Sequence, residues 1–244
     1  MNAAIVTGVS RGLGEAMAAA LLARGHRVLG IGRESAARLA GPNYEFVEFD
    51  LAEPSHAREK LTAPLAALAA QRPQRVCLVN NAATAGPVGL VGTLSAVEIV
   101  QSLAVNLAAP TVLANLFCRV FADDAIERRI INVSSGAAAS TMPGAALYCV
   151  AKAGLEMLTR ALAAEPRGER FRAVTVRPGI IDTGMQVFMR GQPQDRLPVV
   201  AMFEGFHKGG QLVHPDTTAD VLVRKLVEGP VENGRTYSYQ ELAG

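Results

Sequence analysis

Thr7-Gly8-Val9-Ser10-Arg11-Gly12-Leu13-Gly14 follows an apolar run at residues 3–7 and opens a segment of helical period. Glycines at such a junction let the backbone turn sharply and let a diphosphate approach the helix N-terminus, where free N–H groups and the helix dipole favour negative charge. A glycine-rich turn alone has low specificity, because any tight strand-to-helix turn uses glycine. Its position between a strand and an amphipathic helix favours a dinucleotide-binding turn. The predicted cofactor-binding residues here are Thr7, Gly8, Ser10, Arg11, Gly12, Leu13 and Gly14.

Outward from this turn, short runs rich in Val and Ile alternate with longer Ala/Leu segments of helical period. This alternation is typical of a parallel sheet with helices on both faces. The predicted strands lie near residues 3–7, 27–32, 44–49, 75–79, 129–134, 172–177 and 235–239. The predicted helices lie near residues 12–24, 55–71, 95–121, 145–164 and 216–228. We therefore predict an α/β chain with a doubly wound, Rossmann-type sheet of seven strands.

The segment from Gly184 to His214 interrupts the alternation, because it is long, holds several glycines and carries scattered apolar residues. Long irregular segments in compact domains are often lids or binding loops, so we predict a substrate lid near residues 184–214. No repeat or composition break marks a second domain, which predicts one domain over residues 1–244. In the final helix, Asp216 or Thr217 is the predicted N-cap, and Gly229-Pro230 is a stop signal.

Composition limits the classes of partner. The chain of 244 residues is half apolar, 19% charged and carries a formal net charge of +2. Opposite charges are interspersed, so no basic field points to a nucleic acid or a membrane, and a small molecule is the expected ligand. The first strand begins near Met1 and no later apolar run is expected to span a membrane, which predicts a cytoplasmic protein.

The cysteines and histidines predict no metal site. Cys77, Cys118 and Cys149 are an odd number and form no Cys-x-x-Cys pair, so reduced, buried thiols are expected, Cys149 packing its helix against the sheet. The histidines lack helix-spaced partners and are assigned surface roles: His26, His56, His207 and His214.

Arg33 follows the second strand, at the position that distinguishes the two nicotinamide dinucleotides. A carboxylate there would accept from a ribose 2′-OH and repel a 2′-phosphate, but no acid precedes Glu34. Arg11, inside the glycine turn, could reach the same phosphate. Two guanidinium groups suit a dianionic phosphate, so NADP(H) is the predicted cofactor. The alternative is that either arginine only solvates a surface loop.

Polar residues also end the third and fourth strands. Asp50 could accept from an adenine amino group, and Asn80-Asn81-Ala82-Ala83 closes the fourth strand. Each is also a common turn residue. Because ligands bind at the carboxyl ends of strands in open α/β sheets, we expect these residues to line one crevice.

Tyr148 and Lys152 are four residues apart in a predicted helix, which puts the phenol and the ammonium on one helical face. Reduction of a carbonyl by hydride needs an acid for the developing alkoxide, and a phenol with a pKa of about 10 is a weak donor near neutrality. A fixed cation beside it favours phenolate and lowers that pKa. The spacing alone is more often a helix face than a site.

Two further positions bear on this chemistry. Ser134 and Ser135 end the fifth strand, and residue chemistry alone does not separate the two hydroxyls as the polar group of the cleft. Asn106, in a long Ala/Leu helix, is a candidate for completing a proton relay through water, and equally a capping or core amide.

These motifs fall in order over essentially the whole chain: the glycine turn, Asn80-Asn81-Ala82, Asn106, Ser135, Tyr148, Lys152 and Arg177-Pro178-Gly179. In this they resemble the short-chain dehydrogenase/reductase family. The resemblance implies that Ser135 holds a carbonyl oxygen, Tyr148 donates the proton, Lys152 binds the nicotinamide ribose and lowers the pKa of Tyr148, and Asn106 anchors the relay water. It adds as cofactor-binding residues Asp50, Leu51, Asn81, Ala82, Tyr148, Lys152, Pro178, Gly179, Ile181 and Thr183. Ala83 departs from a common family glycine.

Within the family, residues 146–149, 178–186 and 210–213 resemble the branch of sepiapterin and bacterial benzil reductases. Such enzymes reduce one carbonyl of a vicinal dicarbonyl or an α-keto side chain. Sepiapterin reductases carry an acid in the final strand to hold the pterin, and Ser238 stands at the matching position, which favours a diketone. The implied substrate contacts are Ser135, Tyr148, Met185 and Phe188. An apolar set forms either the pocket wall or the underside of the lid: Met185, Phe188, Met189, Met202, Phe203 and Phe206.

The sequence thus predicts an NADPH-dependent reductase of a small carbonyl compound, a homodimer or homotetramer by family analogy. Three alternatives stay open: pterin side-chain reduction, an NAD(P)-dependent secondary alcohol dehydrogenase, and a non-catalytic NADP(H)-binding sensor.

Overall fold

The strands are apolar at almost every position, so both faces of the sheet they form are buried. The computed structural model describes residues 1–244 and contains seven parallel strands in the order β3-β2-β1-β4-β5-β6-β7. Their bounds are β1 Asn2–Thr7, β2 Arg27–Gly32, β3 Tyr44–Glu48, β4 Arg75–Asn80, β5 Glu127–Val133, β6 Phe171–Arg177 and β7 Thr236–Ser238. The predicted Rossmann-type sheet is confirmed, and the strand order reverses between β1 and β4, where a ligand crevice opens.

Two helical layers cover the sheet. The helices are α1 Gly12–Ala23, α2 Ala57–Ala70, α3 Ala96–Leu103, α4 Ala109–Val120, α5 Ala146–Ala164, α6 Gly184–Arg190, α7 Val200–Lys208, α8 Pro215–Leu222 and α9 Tyr239–Ala243. On one face, α1 and α8 pack in a cluster of 25 buried residues around Val6 and Met17. On the other, α2 and α4 pack in a cluster of 23 around Leu61 and Phe117. Each strand therefore contributes alternate side chains to two separate cores.

The long helix predicted over residues 95–121 is present as α3 and α4, which a π turn at Ala104–Ala108 joins without a gap. Ser95 begins it with a capping box, in which its hydroxyl accepts from the Glu98 N–H and the Glu98 carboxylate accepts from the Ser95 N–H. Residues 96–120 also have the length and a mean hydropathy, 1.5, that a membrane span could have. The expectation that no apolar run reaches span length is therefore wrong. Part of this helix, around Phe117, is buried in the core cluster, as is usual for a helix that packs on a sheet.

The N-cap of α8 differs from the prediction of Asp216 or Thr217. The ring Nδ1 of His214 accepts from the Asp216 N–H at 3.2 Å, and Pro215 takes the first helical position. Proline suits that position because its fixed φ is helical and its missing N–H would have had no partner. The helix continues through a π turn at Val223–Glu228 and ends at the predicted Gly229.

The predicted irregular segment, residues 184–214, contains two helices, α6 and α7. A parallel bridge between Ile181 and Val213 closes its base. The expectation of an irregular loop is wrong because its apolar residues find a surface to bury. Four of them, Met189, Leu197, Val200 and Phe203, form a third cluster with Ala85, Val88 and Ala145.

Two expectations about burial are also corrected. Only Cys77 among the cysteines is fully buried, since Cys118 and Cys149 are partly exposed. His26 is buried rather than on the surface, with its Nε2 3.2 Å from a Glu228 carboxylate oxygen. The other three histidines are exposed as expected.

Candidate active site

The glycine turn between β1 and α1 is packed too closely against itself and the loop after β4 to hold side chains. Gly8 and Gly12 have φ values of 75° and 63°, in the left-handed region that favours glycine. A Cβ on Gly14 would lie 2.2 Å from the Gly8 carbonyl oxygen and 2.3 Å from the Asn81 Nδ2. The turn therefore exposes backbone N–H groups at the start of α1 in a cradle that fits a diphosphate.

Side chains from β1 and β4 hold this turn in place. The Thr7 Oγ1 accepts from the N–H groups of Asn81 and Ala82, both at 3.0 Å. The Asn81 Nδ2 donates to the Thr7 carbonyl oxygen at 2.9 Å. These predicted cofactor residues do lie together, with the Thr7 and Asn81 side chains occupied in joining two loops. Asn80, expected in the crevice, instead points inward and donates to the Asn132 Oδ1 at 2.8 Å.

Arg11 and Arg33 are exposed at the rim of the glycine turn. Gly32, which precedes Arg33, packs against Gly8, since a Cβ on Gly32 would be 3.9 Å from the Gly8 Cα. Neither guanidinium forms an ion pair or a hydrogen bond within the chain, whereas most other arginines do. Both side chains are thus available to an anionic ligand.

Asp50 and Leu51 follow β3 at the same edge of the sheet. Asp50 is exposed, and its Oδ1 accepts from the Ala52 N–H at 2.9 Å, a turn-forming contact. Its second oxygen has no partner within the chain, and Leu51 is buried beside it. The geometry leaves Asp50 able to accept a further hydrogen bond.

The structure separates the two serines at the end of β5. The Ser134 hydroxyl is buried and donates toward the Glu156 carboxylate at 3.0 Å. Ser135 caps a short 3₁₀ turn, accepting from the Ala137 N–H at 3.2 Å, and its hydroxyl proton stays free to donate. Ser135 lies close enough to Tyr148 to hydrogen-bond its hydroxyl.

Tyr148 and Lys152 face the same side of α5. The Lys152 side chain is only 2% exposed, and its Nζ donates to the Val133 carbonyl oxygen at 2.7 Å and lies 5.5 Å from the Tyr148 ring centroid. Two of its three hydrogens remain for a ligand. Burial lowers the pKa of Lys152 to about 8. Burial also raises the pKa of Tyr148 to about 12, against the lowering effect of Ser135, so the phenol is neutral here.

Asn106 lies fully buried in the π turn. Its Oδ1 accepts from the Thr84 N–H at 2.9 Å, and its Nδ2 donates to the Thr84 carbonyl oxygen at 2.9 Å and to the Ser102 hydroxyl at 3.3 Å. Both amide hydrogens are therefore used, one in fixing the loop after β4 and the other in a bond to Ser102 on α3. π turns of this kind are frequent at functional sites.

The loop after β6 lies against the glycine turn. Gly179 has a φ of 79°, which favours glycine, and its open side faces the Tyr239 ring. Ile181 is buried in the bridge to Val213, and Thr183 lies beside Gly12, where a Cβ would be 3.3 Å from the Thr183 Cγ2. Pro178–Thr183 and the glycine turn thus form two sides of one crevice.

The apolar residues after this loop divide into two groups. Met189 and Phe203 are buried in the third cluster and form the underside of the segment. Met185 packs on the same cluster beside Tyr148, and Phe188 is 41% exposed with its ring over Gly86. Met185 and Tyr148 therefore pack on one cluster, Phe188 lies against Gly86, and Met202 is exposed.

Sequence reasoning missed Glu156, whose carboxylate joins Ser134 and Arg177. The available signal was its position four residues after Lys152, on the same helical face. Ser238, compared above with a pterin anchor, caps α9 by accepting from the Glu241 N–H at 3.2 Å.

These features fit a nicotinamide dinucleotide. The cradle of Gly8, Gly12 and Gly14 would hold the diphosphate, and the free hydrogens of Lys152 would bind the ribose. The hydroxyls of Ser135 and Tyr148 converge beside this crevice, so both can donate to one carbonyl oxygen.

A model of the short chain dehydrogenase family matches residues 2–194. A benzil reductase ((S)-benzoin forming) of Bacillus subtilis (strain 168) is 31% identical over 243 residues, which cover 99% of this chain and 99% of the relative. A sepiapterin reductase of Rattus norvegicus is 28% identical over 254 residues, which cover 98% of this chain and 96% of the relative. A short-chain dehydrogenase/reductase structure from Saccharomyces cerevisiae has a TM-score of 0.86 at 25% identity, covering 100% of this chain and 98% of that chain. The chain belongs to the short-chain dehydrogenase/reductase family and is an NAD(P)(H)-binding oxidoreductase that acts on CH–OH or C=O groups.

Proposed function

We propose that the protein is an NADPH-dependent reductase of small ketones, with one carbonyl of a vicinal diketone as its best substrate. The observation that carries this proposal is the convergence of Ser135, Tyr148 and Lys152 beside the glycine cradle. The benzil reductase of Bacillus subtilis, similar over 99% of the chain, supports reduction of a diketone.

Each catalytic residue has a role that its own contacts support. Ser135 donates its free hydroxyl proton to the substrate carbonyl oxygen, and Tyr148 transfers its proton to that oxygen as negative charge develops. Lys152 binds the ribose and stabilises the tyrosinate left behind. Asn106 holds the π turn through Thr84 and Ser102, and because its side chain is occupied, the backbone of that turn would bind the relay water that returns a proton to this site. When bound, NADPH supplies the hydride that reduces the carbonyl carbon.

NADPH is favoured over NADH by charge. Arg11 and Arg33 have no partner in the chain, and an adenosine 2′-phosphate beside β2 would pair with both. No carboxylate precedes Glu34 to repel that phosphate. Asp50, Leu51, Asn81, Ala82 and the loop Pro178–Thr183 complete the proposed cofactor site.

The substrate pocket is apolar on the side of the segment 184–214, which we propose is the substrate lid. Met185 packs on the same apolar cluster as Tyr148, and Phe188 exposes its ring beside Gly86, so a diketone with apolar or aromatic substituents fits better than a polar sugar. Ser238 is occupied in capping α9, which supports a diketone over a pterin, because a pterin's buried donors would lack a charged acceptor there.

A direct assay tests the function. For reduction, purified protein is incubated with NADPH or NADH and with benzil, another 1,2-diketone or sepiapterin. For oxidation, it is incubated with NADP⁺ or NAD⁺ and a simple secondary alcohol. In both assays the absorbance of the reduced nicotinamide is followed. We expect the highest kcat/KM with a 1,2-diketone and NADPH. Higher efficiency with sepiapterin or in alcohol oxidation would contradict the substrate assignment, and tight NADPH binding without any turnover would favour a sensor.

We further propose a homo-oligomer in the cytoplasm. Helices α3 and α5 expose apolar side chains that a second copy could cover, including Val97, Val100, Val150 and Met157.

A further inference from the structure

Glu156 links three elements beneath the proposed catalytic residues. Its two carboxylate oxygens accept from the Nε and Nη2 of Arg177, both at 2.8 Å, in a fork-to-fork pair between α5 and the end of β6. The Ser134 hydroxyl, at the end of β5, lies 3.0 Å from the same carboxylate and 3.3 Å from the Lys152 carbonyl oxygen. The Glu156 side chain is 13% exposed and that of Arg177 is 34% exposed, so the carboxylate is shielded from water more than the guanidinium.

Lys152 lies one helical turn before Glu156, so the two side chains start from the same face of α5. A buried ammonium would ordinarily pair with a carboxylate so near. Instead the Lys152 Nζ donates to the Val133 carbonyl oxygen and approaches the Tyr148 ring. The carboxylate is already satisfied by Arg177 and Ser134, which leaves the ammonium directed at the crevice.

The charged and titratable groups around Lys152 are few. Tyr148 and Glu156 share its helix, β6 contributes Arg177, and β5 contributes only the carbonyl of Val133 and the hydroxyl of Ser134. Burial alone accounts for the lowered pKa of Lys152, and no carboxylate opposes it. The Glu156 carboxylate, bonded to Arg177 and Ser134, forms no ion pair with Lys152, and such a pair would raise this pKa.

We propose that Arg177 is a positioning residue that neutralises Glu156 and thereby keeps the Lys152 ammonium directed at the cofactor and Tyr148 instead of pairing with that carboxylate. Ser134 and Glu156 complete the device by fixing the turn of α5 that carries Lys152. Only the activity measurements below rest on the proposed reductase function.

The primary test titrates Lys152 directly. The chain has four lysines, Lys60, Lys152, Lys208 and Lys225, so selective ¹³C-lysine labelling gives few NMR signals, and the Lys152→Met variant assigns the one of interest. Arg177→Met should raise the pKa of Lys152 by about one pH unit or more, because the carboxylate one helical turn away loses its cation and is free to pair with the ammonium. The double variant Glu156→Gln/Arg177→Met should return that pKa to within about 0.3 unit of the wild-type value.

Two further variants separate the effect of the Arg177 charge from a folding defect or from the loss of any arginine on the protein. Arg177→Gln keeps a hydrogen-bond donor but removes the charge, and should raise the pKa of Lys152 like Arg177→Met even if the latter folds poorly. Arg160→Met removes an arginine of α5 that is exposed and has no ion pair, so the pKa of Lys152 should not change. If folded Arg177→Gln leaves that pKa within about 0.3 unit of the wild-type value, the proposal is wrong.

Activity provides a second readout. With NADPH and a diketone, Arg177→Gln should move the alkaline limb of kcat/KM upward in parallel with the NMR pKa and lower kcat/KM at pH 7 about tenfold, whereas Arg160→Met should change neither. A uniform loss of activity without a shifted limb would indicate a merely structural role. If the wild-type protein reduces no carbonyl, the proposed function fails, but the NMR titration still decides the role of Arg177.

Discussion

At the scale of single residues, burial acts on Tyr148 and Lys152 in opposite directions. It raises the pKa of the phenol to about 12 and lowers that of the ammonium to about 8. Lys152 is not among the causes of the Tyr148 shift, so the expectation that Lys152 lowers the pKa of Tyr148 stays a prediction. Desolvation of both groups outweighs their attraction here. The protein therefore places a neutral phenol beside an ammonium group that loses its proton more readily than an ordinary lysine.

This pair predicts a pH dependence. The pKa of Lys152 lies below its ordinary value, so the ammonium is charged below pH 8 and loses its proton as the pH rises through about 8, while Tyr148 stays protonated. We expect kcat/KM for NADPH, which reports the free enzyme, to be level near pH 7 and to fall toward tenfold per unit above about pH 8. A profile level to pH 10 would contradict this assignment.

Tyr148→Phe removes the proposed acid and keeps the ring. We expect the rate of carbonyl reduction to fall by about 10² or more, because no other hydroxyl in the site can protonate the oxygen as effectively. NADPH affinity, measured by fluorescence titration, should change less than about threefold. Undiminished turnover would remove Tyr148 from the mechanism.

Arg33→Asp tests the choice of nucleotide. A carboxylate at the end of β2 would repel a 2′-phosphate and accept from a 2′-OH, so the ratio of kcat/KM for NADPH to that for NADH should fall by about tenfold or more. Arg58→Asp, an exposed arginine at the start of α2, is the matched charge change and should leave the ratio unaltered. An unchanged ratio in Arg33→Asp would contradict the 2′-phosphate site.

At the scale of elements, arginines from the sheet donate hydrogen bonds to the backbone carbonyls at the C-terminal end of the helical stretch 215–228. The Arg129 Nη1, on β5, donates to the carbonyl oxygens of Leu226 and Gly229 at 2.8 and 2.6 Å. Arg75, on the adjacent β4, donates to those of Val227 and Glu228. Two cations thus meet the negative end of the helix dipole and its unpaired carbonyls.

Arg129→Ala should therefore be strongly destabilising. Its guanidinium is buried, and removing it takes a donor from the Leu226 and Gly229 carbonyl oxygens and leaves the Glu127 carboxylate with Arg75 alone. We expect the free energy of unfolding, from urea denaturation, to fall by about 3 kcal/mol. Arg224→Ala, which breaks an exposed pair with Asp220, should cost no more than about 0.5 kcal/mol. Equal effects of the two variants would refute the capping role.

At the scale of the whole molecule, apolar side chains remain exposed on two adjacent helices. Val97 and Val100 on α3 are each 66% exposed, and Val150 and Met157 on α5 are 58% and 55% exposed. Gly154 lets these elements approach, since its Cβ would be 2.9 Å from the Leu107 Cδ1. A continuous apolar face of this kind is what a symmetric copy would cover.

Val100→Glu should weaken self-association, because an unpaired carboxylate would be buried in the interface. Light scattering coupled to size exclusion is expected to show a shift toward monomer at micromolar concentration, with unchanged circular dichroism. Val91→Glu, in a loop and 80% exposed, is the control and should keep the wild-type mass. A wild-type monomer would contradict the proposed oligomer.

The sequence by itself determined the sheet and much of the crevice. Strands are short apolar runs bounded by turn residues, and parallel strands bring their carboxyl ends to one edge, so Gly8, Asp50 and Asn81 could be assigned to one crevice from local patterns. The family resemblance then supplied roles for residues such as Ser135 that residue chemistry alone left undecided.

Only the tertiary structure decided features that depend on contacts between distant segments. It buried Ser134 against Glu156 and left Ser135 free, turned Asn80 inward, ordered residues 184–214 as helices on a third apolar cluster, and paired Arg177 with the carboxylate one turn from Lys152. Whether a polar group is solvated, buried or neutralised is set by neighbours far away in sequence, and its pKa and its partners follow from that environment.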